Sequence, residues 1–161
     1  MGLYNQIKMA NTYTQIHIHF VFAVKFRAGI IKASWKEELY KYITGIVQNN
    51  NHKMISINGM NEHIHLLIGL RPAQSISDLI QDIKASSSKW INQKKFTNCR
   101  FEWQEGYGAF SYGKSQLKDI IQYIENQELH HTKRTFREEY LEFLQKFEVE
   151  FDEKFTFTDL I

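Results

Sequence analysis

Proline and cysteine are almost missing from the 161-residue chain, which holds one of each, Pro72 and Cys99. A lone cysteine cannot close an internal disulfide, so packing alone must hold the fold, as suits a reducing compartment. Glycine is also sparse, at 8 residues, which excludes collagen-like and linker-rich architectures. No apolar run approaches the roughly 20 residues that span a bilayer, and the stretch Met1 to Lys8 lacks the apolar core of a secretory signal. No membrane contact and a cytoplasmic location are therefore expected. Net charge is scarce too, at +2, but it is unevenly placed. Residues 1–137 carry 18 basic and 10 acidic side chains, a surplus of +8, whereas 138–161 carry 2 and 8, a deficit of −6. A basic body with an acidic tail points to an anionic polymer as partner.

What the chain has is apolar periodicity. Thr12 to Lys25 is rich in β-branched and aromatic residues and predicts a long strand with His17 and His19 on one face. Ser34-Trp35-Lys36-Glu37 has the form of a capping box opening a helix to about Gln48. Lys53–Ile57 and Glu62–Leu70 predict two strands joined around Asn58-Gly59. Apolar residues between Ser77 and Lys95 recur with helical period, and the aromatic stretch from Phe101 to Ser111 predicts a last strand. Two further helices follow, Ser115 to about Glu128 and one opened by the capping box at Thr135. The order β-α-β-β-α-β predicts an α+β, ferredoxin-like antiparallel four-stranded sheet with helices on one face, plus C-terminal helices. Residues 1–147 form the expected domain, and 148–161 an acidic extension.

Chemistry concentrates in two patterns. In a strand, alternate side chains share a face, so His63 and His65 project together, as do His17 and His19. Two imidazoles on one face suit one divalent ion, each through one ring nitrogen while the other is oriented by a neighbouring acceptor, and two ligands leave the coordination sphere open. Spacing alone does not choose between the pairs. In the third helix, Leu117, Ile120, Ile121 and Ile124 form the core stripe, and Tyr123 and Gln127 share a face at its edge.

Together, His63-Ile64-His65 and Tyr123-Ile124-Glu125-Asn126-Gln127 resemble the HUH motif and the single catalytic tyrosine of the IS200/IS605-like Y1 transposases. Trp103-Gln104-Glu105-Gly106-Tyr107, His130-His131, Arg134-Thr135-Phe136 and Phe151-Asp152-Glu153-Lys154 extend the likeness over nearly the whole chain. Glu62 stands where the family often has Asp. The resemblance implies metal-dependent cleavage and rejoining of single-stranded DNA hairpins at element ends. His63, His65 and Gln127 would hold Mg²⁺ or Mn²⁺, and Tyr123 on the C-terminal helices would form a 5′-phosphotyrosine. It also implies a homodimer in which the tyrosine helix, hinged near Gly113, completes the partner's site. A domesticated repeat-associated enzyme or a non-catalytic DNA-binding regulator are the alternatives. Lys25, Arg27, Lys84, Lys89, Lys94 and Lys95 are candidate phosphate contacts, with Trp103 and Tyr107 as candidate stacking platforms.

Overall fold

A computed structural model describes residues 12–152. Four strands, β1 (His17–Ala23), β2 (Lys53–Gly59), β3 (His63–Gly69) and β4 (Gly108–Tyr112), form one sheet in the order β2-β3-β1-β4 with every neighbour antiparallel. This is the ferredoxin-like arrangement predicted. Helices α1 (Ala33–Asn49) and α2 (Ile76–Lys94) are the two crossovers and pack on the same sheet face. Phe20, Phe22, Ile64, Leu66 and Ile68 point from the central strands into the apolar stripes of these helices, Leu39, Ile43 and Val47 on α1 and Leu79, Ile83 and Ile91 on α2. Burial on this scale supplies most of the folding free energy, at roughly 25 cal/mol per Å² of apolar surface removed from water.

The alternate residues of the same strands face the other way. Val21, Ala23 and Leu67, with Phe110 and Tyr112 from β4, form a second core under the C-terminal helices. These are α3 (Leu117–Glu125), the single turn α4 (Gln127–His130) and α5 (Phe136–Lys146), which contribute Ile120, Ile124, Phe136, Phe143 and Leu144. The C-terminal helices thus cover the second face, and the histidines of β1 and β3 lie beneath them.

Several local expectations are corrected. The Ser34 capping box does not form: Lys32 is the N-cap of α1, without a side-chain cap, and Ser34 lies inside the first turn. A side-chain cap does open α2, where Ser75 Oγ accepts from the Asp78 amide at 3.1 Å. At Thr135 one half of the predicted capping box forms, its hydroxyl accepting from the Glu138 amide at 3.2 Å. Asn58 and Gly59 belong to β2, and the turn is Met60 to Glu62. The Asn58 amide donates instead to the carbonyls of Ile124 (2.9 Å) and Glu125 (3.1 Å), tying the open C-terminal end of α3 to the sheet. β1 and β4 are shorter than predicted, and Trp103 joins Val24 through an isolated bridge before β4 begins. Of the acidic extension, Val149 and Phe151 line a cleft with Gln104 and Tyr107, and residues 153–161 lie outside the described residues.

Gly59 is required by close approach. A Cβ there would lie 2.3 Å from the His63 carbonyl oxygen and 2.8 Å from Ile64 Cα, both backbone atoms of the paired strand. Gly59→Ala is expected to lower stability by about 3 kcal/mol or more, since the strands must part to admit the methyl group. An unchanged urea midpoint would refute this reading of the β2–β3 contact.

Candidate active site

The alternation of β3 sends His63 and His65 into the layer between the sheet and the C-terminal helices, where both are fully buried. His19 on β1 projects into the same layer, and its Nε2 lies 2.8 Å from His65 Nδ1. The two His-x-His pairs therefore have different neighbours. His63 and His65 face Gln127 and α5, while His19 stands behind His65, and His17 sits at the far end of β1, opposite Gly69 and Tyr112. His63 is fixed from behind as well, with Nδ1 2.7 Å from a Glu62 carboxylate oxygen. The Nδ1 contact aims Nε2 at Gln127 and Glu139, the orientation in which the neutral ring would offer Nε2 to a metal ion.

Gln127 sits on α4 just past the break at Asn126, and its Oε1 is 3.2 Å from His63 Nε2 and 3.2 Å from His131 Nε2. Tyr123 lies one turn earlier at the edge of the core, its ring stacked on His130 (centroids 4.4 Å apart) and edge-on to His65 (6.1 Å) and Phe143 (5.6 Å). The structure thus brings Tyr123, Gln127, His63 and His65 into one cluster within a single chain. The Tyr123 hydroxyl donates to Glu139 Oε2, and the Arg134 guanidinium donates to the hydroxyl at 2.7 Å while also pairing with Glu142. A cleft of about 370 Å³, lined in part by Tyr123, Arg134, Glu142 and Lys146, opens beside it.

Glu139 is the residue that sequence reading missed. It is fully buried, with Oε1 3.1 Å from His65 Nε2, 3.4 Å from His63 Nε2 and 3.3 Å from His131 Nε2. Its other oxygen accepts from Gln127 Nε2 at 3.2 Å. The available signal was an acid on the apolar stripe of α5, between Phe136 and Phe143.

The electrostatics follow from burial and this carboxylate. Burial alone would raise the pKa of Glu139, but hydrogen bonds from His131, His63 and His65 outweigh it and hold the group ionised far below the usual carboxylate range. Burial pulls His63 down, and its contacts with Glu139 and Glu62 more than compensate, leaving its pKa raised. For His65, burial prevails over Glu139 and the pKa is lowered; burial and the neighbouring His65 also lower His19. Burial and the Glu139 charge push the Tyr123 phenol up, against the opposing pull of Arg134.

These directions predict the pH response of the metal-free protein. His19 and His65 have folded pKa values below 6.5, so the unfolded chain binds their protons first. Their contribution is complete above about pH 6.5 and is lost as pH falls. His63 has the opposite sign: its contribution is present below 6.5 and lost as pH rises through its raised pKa. His130, lowered by burial and by Arg134, has the same sign as His19 and His65, so with three groups against one the urea midpoint in chelator is expected to fall between pH 7.5 and 5; Glu139 adds to the loss only below about pH 4.5. A midpoint that climbs over that range would contradict these assignments.

The proposed DNA contacts are dispersed. Lys84, Lys89 and Lys94 lie on α2, and Lys95 caps it, so all four belong to the helical layer on the sheet face opposite the histidines. Burial lowers the pKa of Lys84 to about 8, and its ammonium donates to the carbonyls of Gln104 and Gly106, pinning that loop. Trp103 corrects the stacking expectation. Only 8% exposed, it packs edge-on against Phe22 and Phe101 and donates to Ser87 Oγ, so its ring is a core element and offers no face to a base. Tyr107 is half-buried, edge-on to Phe20 and bonded to the Ser77 hydroxyl. Lys25 pairs with Glu102 at 3.0 Å, and Arg27 borders the cleft next to the 104–107 loop.

The sequence pattern of the family described as IS200-like transposases matches residues 12–127, from just before β1 through Gln127. The chain belongs to the IS200-like transposase family. Among curated relatives, it is 24% identical over 119 residues to the ISDra2 transposase TnpA of Deinococcus radiodurans, covering 70% of this chain and 84% of that one. It is 26% identical over 125 residues to the transposase for insertion sequence element IS200 of Salmonella typhimurium, covering 74% and 81%. The fold is similar to a crystal structure of a transposase candidate from Deinococcus radiodurans R1, with a TM-score of 0.58, 22% identity, and coverage of 73% of this chain and 94% of that one. A REP-associated tyrosine transposase bound to a REP hairpin gives a TM-score of 0.58 at 14% identity, over 75% of this chain and 72% of that chain. No helix among the described residues of this IS200-like transposase is long and apolar enough to cross a membrane. Its family match ends at Gln127, so His131, Arg134 and Glu139 lie beyond it.

Proposed function

We propose that this transposase cleaves and rejoins single-stranded DNA through a covalent 5′-phosphotyrosine on Tyr123, with Mg²⁺ or Mn²⁺ at His63, His65 and Gln127. The observation that carries the reading is the convergence of a tyrosine hydroxyl with two strand imidazoles and an amide oxygen in one buried cluster. The donor set suits a hard or borderline divalent ion: nitrogen and oxygen atoms, no thiolate, and His63 oriented from behind by Glu62. A bound ion would supply charge stabilisation at the phosphate oxygens and orient the leaving oxygen.

The chain's own residues do the rest. Tyr123 Oη attacks the scissile phosphorus; the P–O3′ bond breaks, the phenolic proton is given up and the 3′ oxygen gains one. A phenol with a raised pKa is a poor nucleophile at neutral pH, and Arg134 at 2.7 Å from Oη offsets this by favouring the phenolate and the charge gathering on the phosphate. The tyrosyl ester retains the reactivity of a phosphodiester, so a second 3′-OH can reverse the step and join strands without ATP.

The DNA strand enters from the side of α3 and α5, where Arg134 and Lys146 border the cleft at Tyr123 and Lys133 borders a neighbouring cleft next to Glu62 and His131. Hairpins at element ends are the proposed substrate, consistent with a fold relative bound to a REP hairpin. The contacts of Tyr123 and Gln127 with the His pair of their own chain support cleavage within one subunit, and a homodimer in which the tyrosine helix, hinged near Gly113, completes the partner's site is the arrangement proposed for strand exchange.

The test uses single-stranded hairpin DNA from the flanks of the coding region, with Mn²⁺. The expected products are a 5′-side fragment with a free 3′-OH and a 3′-side fragment that, joined through its 5′ phosphate, migrates with the protein after denaturation. Duplex DNA cut as readily as single strands, or two free fragments, would replace this reading with a metal-dependent hydrolase.

A further inference from the structure

We propose that Glu139 on α5 is a carboxylate ligand of the divalent ion held by His63 and His65, and that its second oxygen fixes the Tyr123 hydroxyl beside that ion. The inference rests on the metal reading given above and adds a ligand from outside the segment that the family pattern matches.

Three observations carry it. Ligand atoms of one six-coordinate ion with bonds near 2.1 Å stand about 3.0 Å apart, and those of a tetrahedral ion about 3.4 Å. Glu139 Oε1 lies 3.1 Å from His65 Nε2 and 3.4 Å from His63 Nε2, and Gln127 Oε1 lies 3.2 Å from His63 Nε2. Burial is the second. Glu139 is wholly inaccessible, and a buried carboxylate requires a cation or a full set of donors. Among the described residues its Oε1 has imidazole nitrogens as its partners, two of which, on His63 and His65, are the atoms that would ligate. A divalent ion would replace those contacts with stronger ones to the same oxygen.

The third is the division of labour between its oxygens. Oε1 faces the imidazoles, while Oε2 accepts from the Tyr123 hydroxyl and from Gln127 Nε2. One carboxylate therefore spans the metal position and the nucleophile, and the N-cap at Thr135 sets the start of the helix that carries it.

The experiment is Mn²⁺ titration of the full chain without DNA, by calorimetry. Glu139→Gln is expected to weaken Mn²⁺ binding at least tenfold, to reduce the rise in melting temperature that Mn²⁺ gives the wild type, and to add a coordinated water to the saturated ion, read from water-proton relaxation. Glu139→Asp, which keeps the charge on a shorter arm, should lie between the two and serves if the Gln variant fails to fold. Wild-type affinity and hydration in the folded Glu139 variants, with His63→Ala unable to bind, would overturn the inference and leave the metal reading standing. Undiminished Mn²⁺ binding in His63→Ala and His65→Ala would remove the metal reading itself, and this inference with it.

Discussion

Tyr123→Phe is expected to eliminate the denaturation-resistant protein–DNA adduct and to lower strand cleavage by a factor on the order of 10⁴ or more, as loss of a nucleophile does in other covalent mechanisms. The substitution removes one oxygen and little else. The ring keeps its stack on His130 and its edge contacts with His65 and Phe143, so the core under α3 stays filled. What is lost is the hydroxyl's donation to Glu139 and the contact from Arg134, at a stability cost of about 1–2 kcal/mol. DNA affinity should change by less than about threefold, because phosphate attraction comes from the surrounding basic side chains. A Phe variant that still forms the adduct would mean that another residue attacks.

The second large effect is at His63. His63→Ala should reduce cleavage by at least about 10³ while sparing most of the DNA binding, since the ion serves the transition state more than the encounter. This variant is less clean. The imidazole stacks on Phe136 at 4.1 Å between centroids and meets Glu62 and Gln127, so its loss opens a cavity and costs about 2–4 kcal/mol. Chelation provides the independent control. Wild-type cleavage should vanish in EDTA and return with Mn²⁺, and His63→Ala should not be rescued by any Mn²⁺ concentration that leaves the DNA soluble. Cleavage that persists in EDTA would dismiss the metal, and His17→Ala abolishing Mn²⁺ binding while His63→Ala does not would move it to the other pair.

The sheet was readable because its signals are compositional and periodic: the short apolar run of His63–Gly69 marks a strand buried on both faces, and 3.6-residue recurrence along α2 specifies an element and a face. The signals that misled are local and depend on what lies across the fold. Ser34 and Glu37 have the spacing of a capping box, yet the chain enters α1 two residues earlier, at Lys32. Asn58-Gly59 has the composition of a turn, but Gly59 is needed for backbone clearance and Asn58 to cap α3. The sequence placed the lysines of α2 on one helix but not on a face of the sheet, and α2 covers the face opposite the histidines. Choosing between the two His-x-His pairs needed the tyrosine motif, because both pairs project from the same sheet face. Glu139 was hidden for a further reason. Its helix reads as an apolar stripe packing on the sheet, and a single acid on such a stripe declares its role only when the strand imidazoles it meets, more than seventy residues earlier in the chain, are in place.

The central claim is that the Tyr123 hydroxyl becomes the phosphate ester. Peptide mapping of the adduct formed with Mn²⁺ and single-stranded hairpin DNA tests it most directly. The account predicts one nuclease-trimmed nucleotide, joined through its 5′ phosphate, on the peptide containing Tyr123. A nucleotide on any other residue, or cleavage of the strand with an unmodified Tyr123 peptide throughout the reaction, would contradict it.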